Sequence, residues 1–305
     1  MPETVPCNLC GSNNLKELPD KTGFLGLTDP FRIVECEECG LMFLNPRPTA
    51  ADYERYYVEM PTYDLRQFVE RAERRRHLLA QTWDEIERVS GVREGRLLEI
   101  GCGPGVFMKV GSDRGWDVCG VEIAQHFMAY AREELGLDVR RGGDLRQAGF
   151  DEGEFDVVYS SHVLEHLLDP CGALVDARRT LKPEGLLVTE VPNQFDDIMF
   201  HLLRPWKRHV ALRDQLSLNH TYFFTRHVLR RMIETCGFEV VRQTTYSQRL
   251  QRRLDSRIVG GRYLRELMSI AGGLMNKGPV IEVFARKPER ASQHDGVIPQ
   301  DQCAR

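Results

Sequence analysis

The segment LLEIGCGPG, residues 97–105, constrains the fold more than any other part of the sequence. An apolar run that contains an acid is followed by three closely spaced glycines: Gly101, Gly103 and Gly105. Pro104 begins the helix that we predict over 104–115, and proline favours the first turn of a helix. The pattern therefore predicts a strand, a tight glycine turn and a helix, with the backbone of the turn close enough to contact a ligand.

Strand and helix patterns alternate from residue 96 onward, after an amphipathic helix predicted over 64–90. Strands are predicted over 96–100, 117–122, 137–142, 155–161, 185–191, 238–246 and 279–287. The intervening helices are predicted over 104–115, 124–135, 171–182 and 225–236. This alternation implies a doubly wound α/β fold with a seven-stranded, mostly parallel, Rossmann-like sheet. Ligands bind such sheets beyond the carboxyl ends of the strands, which is where the glycine turn lies.

Two common nucleotide-binding motifs do not fit the glycine turn. The dinucleotide fingerprint requires a third glycine at the position of Val106, and a P-loop requires a Gly-Lys-Ser/Thr sequence that this chain lacks. An acid, Glu122, ends the second strand of the α/β region, where a carboxylate accepts hydrogen bonds from ribose hydroxyls. These features argue against NAD and favour another ligand that contains ribose.

Six segments, in this order, resemble the class I S-adenosylmethionine (SAM)-dependent methyltransferases over about residues 95–287. They are LLEIGCGPG, GVEI, GGDL, FDVVYSSHVLEHLLDP, LKPEGLLVTEVPN and NHTYFFTRHVLRRMIETCGFEVV. The resemblance implies that the glycine turn meets the methionine part of SAM, that Glu122 binds the ribose, and that Asp144 with the Leu145 backbone binds adenine. The full set of cofactor-binding residues that it implies is Glu99, Gly101, Gly103, Gly105, Glu122, Ile123, Asp144, Leu145 and Ser161.

Three histidines are candidates for the chemistry of methyl transfer, which needs a base when the acceptor is a hydroxyl. His162 and His166 follow the strand over 155–161 and, if that segment is helical, share one face. His220 lies at the end of a long irregular stretch, residues 193–224, and a buried histidine that packs beside aromatic residues is the competing interpretation. We therefore expect a catalytic or substrate-positioning role for His162, His166 or His220.

The segment HVLEH also has the spacing of an inverted zinc-protease signature, but its place directly after a strand argues against that reading. The segment resembles ubiquinone-type O-methyltransferases too, some of which carry E-x-x-E-H as a metal-binding set. His162 replaces the first glutamate of that set, so metal binding by His162, Glu165 and His166 is left open.

The N-terminal region carries two C-x-x-C-G knuckles, CNLCG and CEECG. Their cysteines are Cys7, Cys10, Cys36 and Cys39. Four thiolates on two tight turns form a closed tetrahedral site for structural Zn²⁺, and two unrelated surface turns are the alternative. This zinc-ribbon-like module, with CGLMFLNPRPT after it, resembles methyltransferases of sugar, polysaccharide and natural-product pathways that begin with a zinc module.

Composition limits the partners. The net charge of −4 and the lack of a long apolar run argue against nucleic acid and membrane partners, and the start MPETVPCNLC does not resemble a secretory signal, so we expect a cytoplasmic protein.

The predicted domains are a zinc module (1–48), a helical linker or lid (49–94), a methyltransferase domain (95–287, with a substrate-side insertion at 193–224) and a disordered tail (288–305). The oligomeric state and the role of the arginine-rich stretch 242–265 are left open.

The sequence thus predicts a SAM-dependent methyltransferase with a small polar acceptor, a hydroxyl of a sugar, polysaccharide precursor or natural product. One alternative is an rRNA or tRNA methyltransferase with an N-terminal zinc module. Its discriminators are a basic N-terminal face and a base-flipping motif such as N-P-P-Y, and neither is present. A SAM-binding protein without catalysis is the other alternative.

Overall fold

The computed structural model describes residues 2–25, 27–55, 64–142, 145–196, 220–246 and 276–289. The strands in this part of the chain are β1 (Leu15–Glu17), β2 (Ile33–Cys36), β3 (Met42–Leu44), β4 (Arg96–Ile100), β5 (Asp117–Glu122), β6 (Asp138–Arg141), β7 (Phe155–Ser161), β8 (Leu181–Pro192), β9 (Tyr222–Phe223), β10 (Glu239–Tyr246) and β11 (Val280–Arg286). The helices are α1 (Pro19–Phe24), α2 (Ala50–Glu54), α3 (Leu65–Glu73), α4 (Arg76–Ser90), α5 (Val106–Ser112), α6 (Gln125–Glu133), α7 (Pro170–Thr180) and α8 (Arg226–Thr235).

The larger of the two sheets that the described residues form has seven strands in the order β10-β11-β8-β7-β4-β5-β6. The adjacent pairs in the part of this order that runs β8-β7-β4-β5-β6 are all parallel. In contrast, β11 is antiparallel to both of its neighbours, β8 and β10. The prediction of a seven-stranded, mostly parallel α/β sheet is confirmed. After β4 the chain continues to β5 and β6 on one side, and β7 then pairs with the other side of β4. The glycine turn after β4 therefore lies where the strand order reverses, the usual ligand site of an open sheet.

The packing of α4 against α5 fixes one face of this sheet. Trp83 of α4 is fully buried, its ring stacks on Phe107 at 5.0 Å between centroids, and its indole N–H donates to the Phe107 carbonyl at 3.0 Å. A Cβ on Gly111 of α5 would lie 2.0 Å from the Trp83 ring, so a glycine is needed for this close approach. The helix α4 ends at Gly91, which adopts the left-handed conformation common at helix C-termini.

A second, antiparallel sheet has the order β1-β2-β3-β9. Its first three strands come from the N-terminal cysteine module, whereas β9 comes from residues 222–223, at the far end of the predicted insertion. Buried module residues such as Phe43 form one core with the inner faces of α7 and α8. The module and the α/β region therefore share both a sheet and a hydrophobic core.

Parts of three predictions lie outside the described residues: most of the insertion 193–224, most of the arginine-rich stretch 242–265, and nearly all of the tail 288–305. Within the described ranges, no helix combines the length and apolar character needed to cross a bilayer.

Candidate functional site

A cavity of about 1340 Å³ opens at the carboxyl ends of the central strands and extends to helices α3 and α4. Most of the predicted cofactor-binding residues line it: Glu99, Gly101, Gly103, Glu122, Ile123, Leu145 and Ser161. Gly105 is not among the lining residues, and Asp144 lies outside the described residues. The cavity thus brings together elements from β4, β5, β7 and the segment after β6.

Gly101 and Gly103 of the glycine turn line the cavity and present only backbone to it. Gly101 and Gly103 both have positive φ, +67° and +54°. A Cβ on Gly101 would lie 2.6 Å from Val163, while the corresponding point on Gly103 contacts only Phe68 of α3, at 3.9 Å. A Cβ on Gly105 would instead meet Leu137 at 2.7 Å, so Gly105 serves helix packing. Gly103 is therefore the glycine of the turn most open to a ligand.

Glu122 is buried at the end of β5 and binds the glycine turn to it. Its carboxylate accepts hydrogen bonds from the backbone N–H groups of Gly103 at 2.8 Å, Ile123 at 2.8 Å and Ala124 at 2.7 Å. Burial raises the pKa of Glu122, and the three N–H donors oppose that shift. The three bonds thus hold the carboxylate beside Gly103, at the carboxyl end of β5.

Glu99 is a buried acid beneath the turn whose Oε2 has no hydrogen-bond partner among the described residues. Burial raises its pKa well above the ordinary value, and the nearby carboxylates Glu122 and Glu190 add to the shift. A buried carboxyl oxygen without a partner is costly unless a cation or a donor reaches it. Burial favours the neutral form of Glu99, and a cationic group placed against Oε2 would offset the cost and favour the ionised form.

The segment that carries His162 and His166 is a turn, and not a helix, because His162 adopts a left-handed φ of 56° at the end of β7. The two histidines therefore do not share a helical face, which corrects the conditional expectation from the sequence. Both line the cavity, and Glu165 lies between them. Its Oε1 is 3.3 Å from Nδ1 of His162 and 3.8 Å from Nε2 of His166.

Glu165 is 1% exposed, so its charge acts strongly on its neighbours. Burial alone would lower the pKa of His162, but the carboxylate of Glu165, with a further contribution from Glu190, raises that pKa above the ordinary value. The reciprocal effect holds for Glu165: burial opposes ionisation, yet the adjacent histidines bring its pKa below the usual value. The pair therefore favours a carboxylate that stabilises a protonated His162.

His220 lies behind His166 and does not line the cavity. The two rings meet edge to face with centroids 4.5 Å apart, and Nδ1 of His220 is 2.9 Å from Nε2 of Gln194. Burial, followed by the neighbouring His166, lowers the pKa of His220 to about 4. Donor atoms of Glu165, His166 and His220 lie within 4.8 Å of one another, so these three, rather than His162, Glu165 and His166, form the set that could hold a metal ion.

Several residues that line the same cavity were not predicted from the sequence. Glu190 lies two residues before the end of β8, and its Oε2 accepts a hydrogen bond from the Ser161 hydroxyl at 2.6 Å. The rule that identified Glu122, an acid at the carboxyl end of a parallel strand, could have found Glu190 as well. Phe68 and Arg75 reach the cavity from α3 and its junction with α4, and no local motif marks either of them.

The four knuckle cysteines come together in the N-terminal module. Sγ of Cys7 is 3.4 Å from that of Cys39, Sγ of Cys10 is 3.5 Å from that of Cys36, and all four atoms lie within 4.8 Å of one another. A tetrahedral Zn²⁺ with Zn–S bonds of about 2.3 Å places its sulfurs about 3.8 Å apart, whereas a disulfide requires about 2.05 Å. The arrangement matches a closed Cys₄ zinc site, and three of the four cysteines are buried.

A family model described as a methyltransferase domain matches residues 71–243, more than half of the chain. The chain belongs to this methyltransferase family. The family model and the seven-stranded sheet together confirm the methyltransferase domain that the order of motifs predicted.

Two relatives of this methyltransferase carry the name ubiquinone biosynthesis O-methyltransferase. The one from Roseobacter denitrificans is 37% identical over 103 residues, which cover 32% of this chain and 42% of the relative. The one from Pseudomonas aeruginosa is 29% identical over 114 residues, which cover 36% of this chain and 49% of the relative. The chain thus spans less than half the length of these two relatives.

Among solved structures, the methyltransferase is similar to a chain in the complex between the Haloferax volcanii Trm112 methyltransferase activator and a methyltransferase. The TM-score is 0.54 at 18% sequence identity, over 72% of this chain and 94% of that chain. At this identity the similarity concerns the fold alone.

Proposed function

We propose that this methyltransferase transfers a methyl group from SAM to a hydroxyl oxygen of a small polar acceptor, with His162 as the general base. The observation that supports this most is the pairing of His162 with buried Glu165 on the wall of the cavity. Candidate acceptors are a sugar, a polysaccharide precursor or a natural product. The names of the curated relatives favour oxygen as the acceptor atom.

The residues around the glycine turn would hold the cofactor. Glu122 binds the ribose, the backbone at Gly103 and the carboxylate of Glu99 face the methionine part, and Leu145 borders adenine. Helix α3 covers this end of the cavity through Phe68, whose ring lies over Gly103 and packs on Phe127 at 5.2 Å between centroids. When bound, SAM supplies a methyl group that its sulfonium charge already activates, so the protein has to orient the acceptor and remove its proton.

His162 is placed to take that proton. Its Nδ1 is directed to Glu165, which fixes the ring orientation, so Nε2 is the nitrogen that faces the hydroxyl. The Glu165 carboxylate stabilises the imidazolium that results, and this is the direction of the pKa shift of His162. The left-handed φ of His162 supports the assignment, because strained backbone positions cluster at functional sites.

His166 and His220 lie next to this pair. Nε2 of His166 is 3.8 Å from Oε1 of Glu165, the same oxygen that faces His162, and His220 packs against His166. The lowered pKa of His220, about 4, keeps its ring neutral at physiological pH. We therefore assign His166 to substrate contact at the cavity wall and His220 to positioning His166.

The N-terminal Cys₄ cluster is proposed to hold one structural Zn²⁺. Its four thiol donors match the ligand preference of zinc, and four sulfurs leave no position for a substrate. The ion would therefore stabilise the module and take no part in methyl transfer.

The acceptor class is tested by measuring the release of S-adenosylhomocysteine (SAH) from SAM with pools of hydroxylated sugars, sugar nucleotides, phenols, amines and unmodified tRNA. We expect turnover with a hydroxylated pool and an O-methyl product by mass spectrometry. Turnover with tRNA or amines alone would contradict the proposal. Dialysis against a chelator, followed by reloading with Zn²⁺ to restore the Cys₄ cluster, separates the roles of the histidines. Activity of the zinc-loaded protein that still requires added Mg²⁺ or Mn²⁺ would indicate that Glu165, His166 and His220 bind a metal, and His162 would then not be the main source of activation.

A further inference from the structure

The turn after β7 that carries His162, Glu165 and His166 is bounded on one side by β9. The Glu165 carbonyl accepts hydrogen bonds from the backbone N–H groups of both Thr221, at 2.8 Å, and Tyr222, at 3.1 Å. The Thr221 carbonyl in turn accepts from the N–H of Leu44 at 2.8 Å, next to the pairing of β3 with β9. A backbone path of two hydrogen bonds thus joins the cysteine module to Glu165.

Arg47, which follows β3, adds a side-chain connection to the same turn. Its guanidinium donates to the Leu168 carbonyl and, at 3.1 Å, to the Tyr222 hydroxyl, which itself donates to the Leu168 carbonyl at 3.1 Å. Glu3 accepts from Nε of Arg47 at 2.9 Å and fixes the other edge of the guanidinium. The Arg47 side chain is only 14% exposed, so these bonds are shielded from competition with water.

Asn8, which lies between the first two knuckle cysteines, completes the attachment at the far end of the turn. Its side-chain amide donates to the Asp169 carboxylate at 2.8 Å and accepts from the N–H of Cys171 at 3.0 Å. The cysteine module therefore contacts the turn near Glu165, at Leu168 and at Asp169. Apart from the module, the N–H of His162 donates to the Glu190 carbonyl of β8 at 2.9 Å, and within the turn the N–H of His166 donates to the Val163 carbonyl at 2.9 Å.

We infer that the cysteine module supports the acceptor site from outside the cavity, and that Arg47 is a positioning residue that fixes the turn over residues 162–169. Glu165 can orient His162 only if the turn keeps the two side chains within about 3 Å of each other, and the module supplies bonds that set the backbone there. The inference rests on the proposed function for the role of His162, but the restraint on the turn does not depend on which acceptor is methylated.

The test compares Arg47→Ala with Arg231→Ala in the full-length, zinc-loaded protein. Arg231 of α8 also bonds to the module, at the Glu38 carbonyl, but it has no contact with the turn. Hydrogen exchange should show that the amides of Thr221 and Tyr222 and those of residues 162–169 exchange at least about tenfold faster in Arg47→Ala and unchanged in the control. Zinc content and SAH affinity should be those of the wild type in both variants.

Two further variants keep the test decisive if Arg47→Ala loses zinc or fails to fold. Tyr222→Phe removes only the hydroxyl that donates to Leu168. Arg47→Lys keeps the charge, but its single nitrogen replaces both Nε, which bonds Glu3, and Nη1, which bonds Leu168 and Tyr222, so it cannot hold all three contacts. We expect a smaller, localised increase in exchange in each. Exchange over 162–169 that stays at the wild-type rate in these variants, or that rises equally in Arg231→Ala, would overturn the inference.

An activity measurement separates this inference from the proposed function. With an acceptor found in the pools described above, Arg47→Ala should lower kcat about tenfold or more without changing the KM for SAM, and Arg47→Lys should restore part of it. Faster exchange in a protein that methylates no acceptor would leave the positioning role intact and reject the proposed function. Unchanged kcat in an active enzyme would reject the positioning role.

Discussion

We expect Glu165→Gln to lower kcat by about 10²-fold while SAH affinity stays within about twofold of the wild type. The amide keeps the size of the side chain but removes the charge that orients His162 and stabilises its protonated form. His162→Ala removes the base itself and should cost about 10²–10⁴-fold. The rate of SAH release with the identified acceptor gives kcat for both variants. His77→Ala and Glu234→Gln change exposed residues of α4 and α8 and serve as matched controls.

The pH profile identifies which histidine acts as the base. His162 must be neutral to accept a proton, and Glu165 holds its pKa above the ordinary value of about 6.5. The wild-type kcat should therefore fall as the pH decreases through a range above about 6.5. In Glu165→Gln this acid limb should move to lower pH, because the carboxylate charge that raises the pKa of His162 is gone. An acid limb near pH 4 would instead point to His220, and a loss of SAH affinity parallel to that of kcat would show that the turn only shapes the cofactor site.

The second large effect is expected at the cysteine cluster. Cys36→Ser should reduce the zinc content from about one equivalent to well below half and should unfold the N-terminal module, because zinc-binding free energies of about 10–16 kcal/mol in such modules are folding free energies. Cys36 is fully buried and ends β2, so its loss also disturbs the sheet that contains β9. Metal analysis of protein purified without a metal-affinity step, together with thermal unfolding, measures both consequences.

The control for this variant is Cys119→Ser. Cys119 is equally buried, but it lies in β5 of the large sheet, where its thiol contacts Asp138. The Cys119→Ser substitution should destabilise the protein moderately and leave the zinc content unchanged. If Cys36→Ser retained its metal, the assignment of Cys7, Cys10, Cys36 and Cys39 as the ligands would be refuted.

Much of the fold was predictable because local patterns and global topology agree. Apolar runs marked the strands β4, β5 and β7 within a residue or two, and a glycine or proline marked most helix ends. The prediction that Pro104 begins α5 was wrong: the glycine turn extends to Gly105, whose φ of +79° belongs to the N-cap, so the helix starts at Val106 and Pro104 lies in the turn. The strand β8 begins at Leu181, four residues before the prediction, because an irregular pairing with β7 lets it extend past Glu184.

The candidate site was predictable only where it depends on strand ends. Glu122 and the glycines follow from the rule that ligands bind at the carboxyl edge of a parallel sheet. The turn at His162 was not predictable, because the spacing of HVLEH suits a helix and the positive φ has no sequence signal in a non-glycine residue. The approach of His220 to His166 depends on β9 joining the small sheet, a long-range pairing that no local pattern encodes.

The central claim is that the cavity at the glycine turn binds SAM through Glu122. Calorimetric titration with SAH and with NADH tests it most directly, on the wild type, on Glu122→Ala and on Glu94→Ala, which changes an exposed acid outside the cavity. We expect SAH to bind the wild type and Glu94→Ala equally, and we expect no binding of NADH. Since a hydrogen bond to a charged group contributes about 1.5–3 kcal/mol, SAH should bind Glu122→Ala at least about tenfold more weakly. Binding of NADH without any SAH signal, or SAH affinity that is the same in Glu122→Ala, would contradict the account.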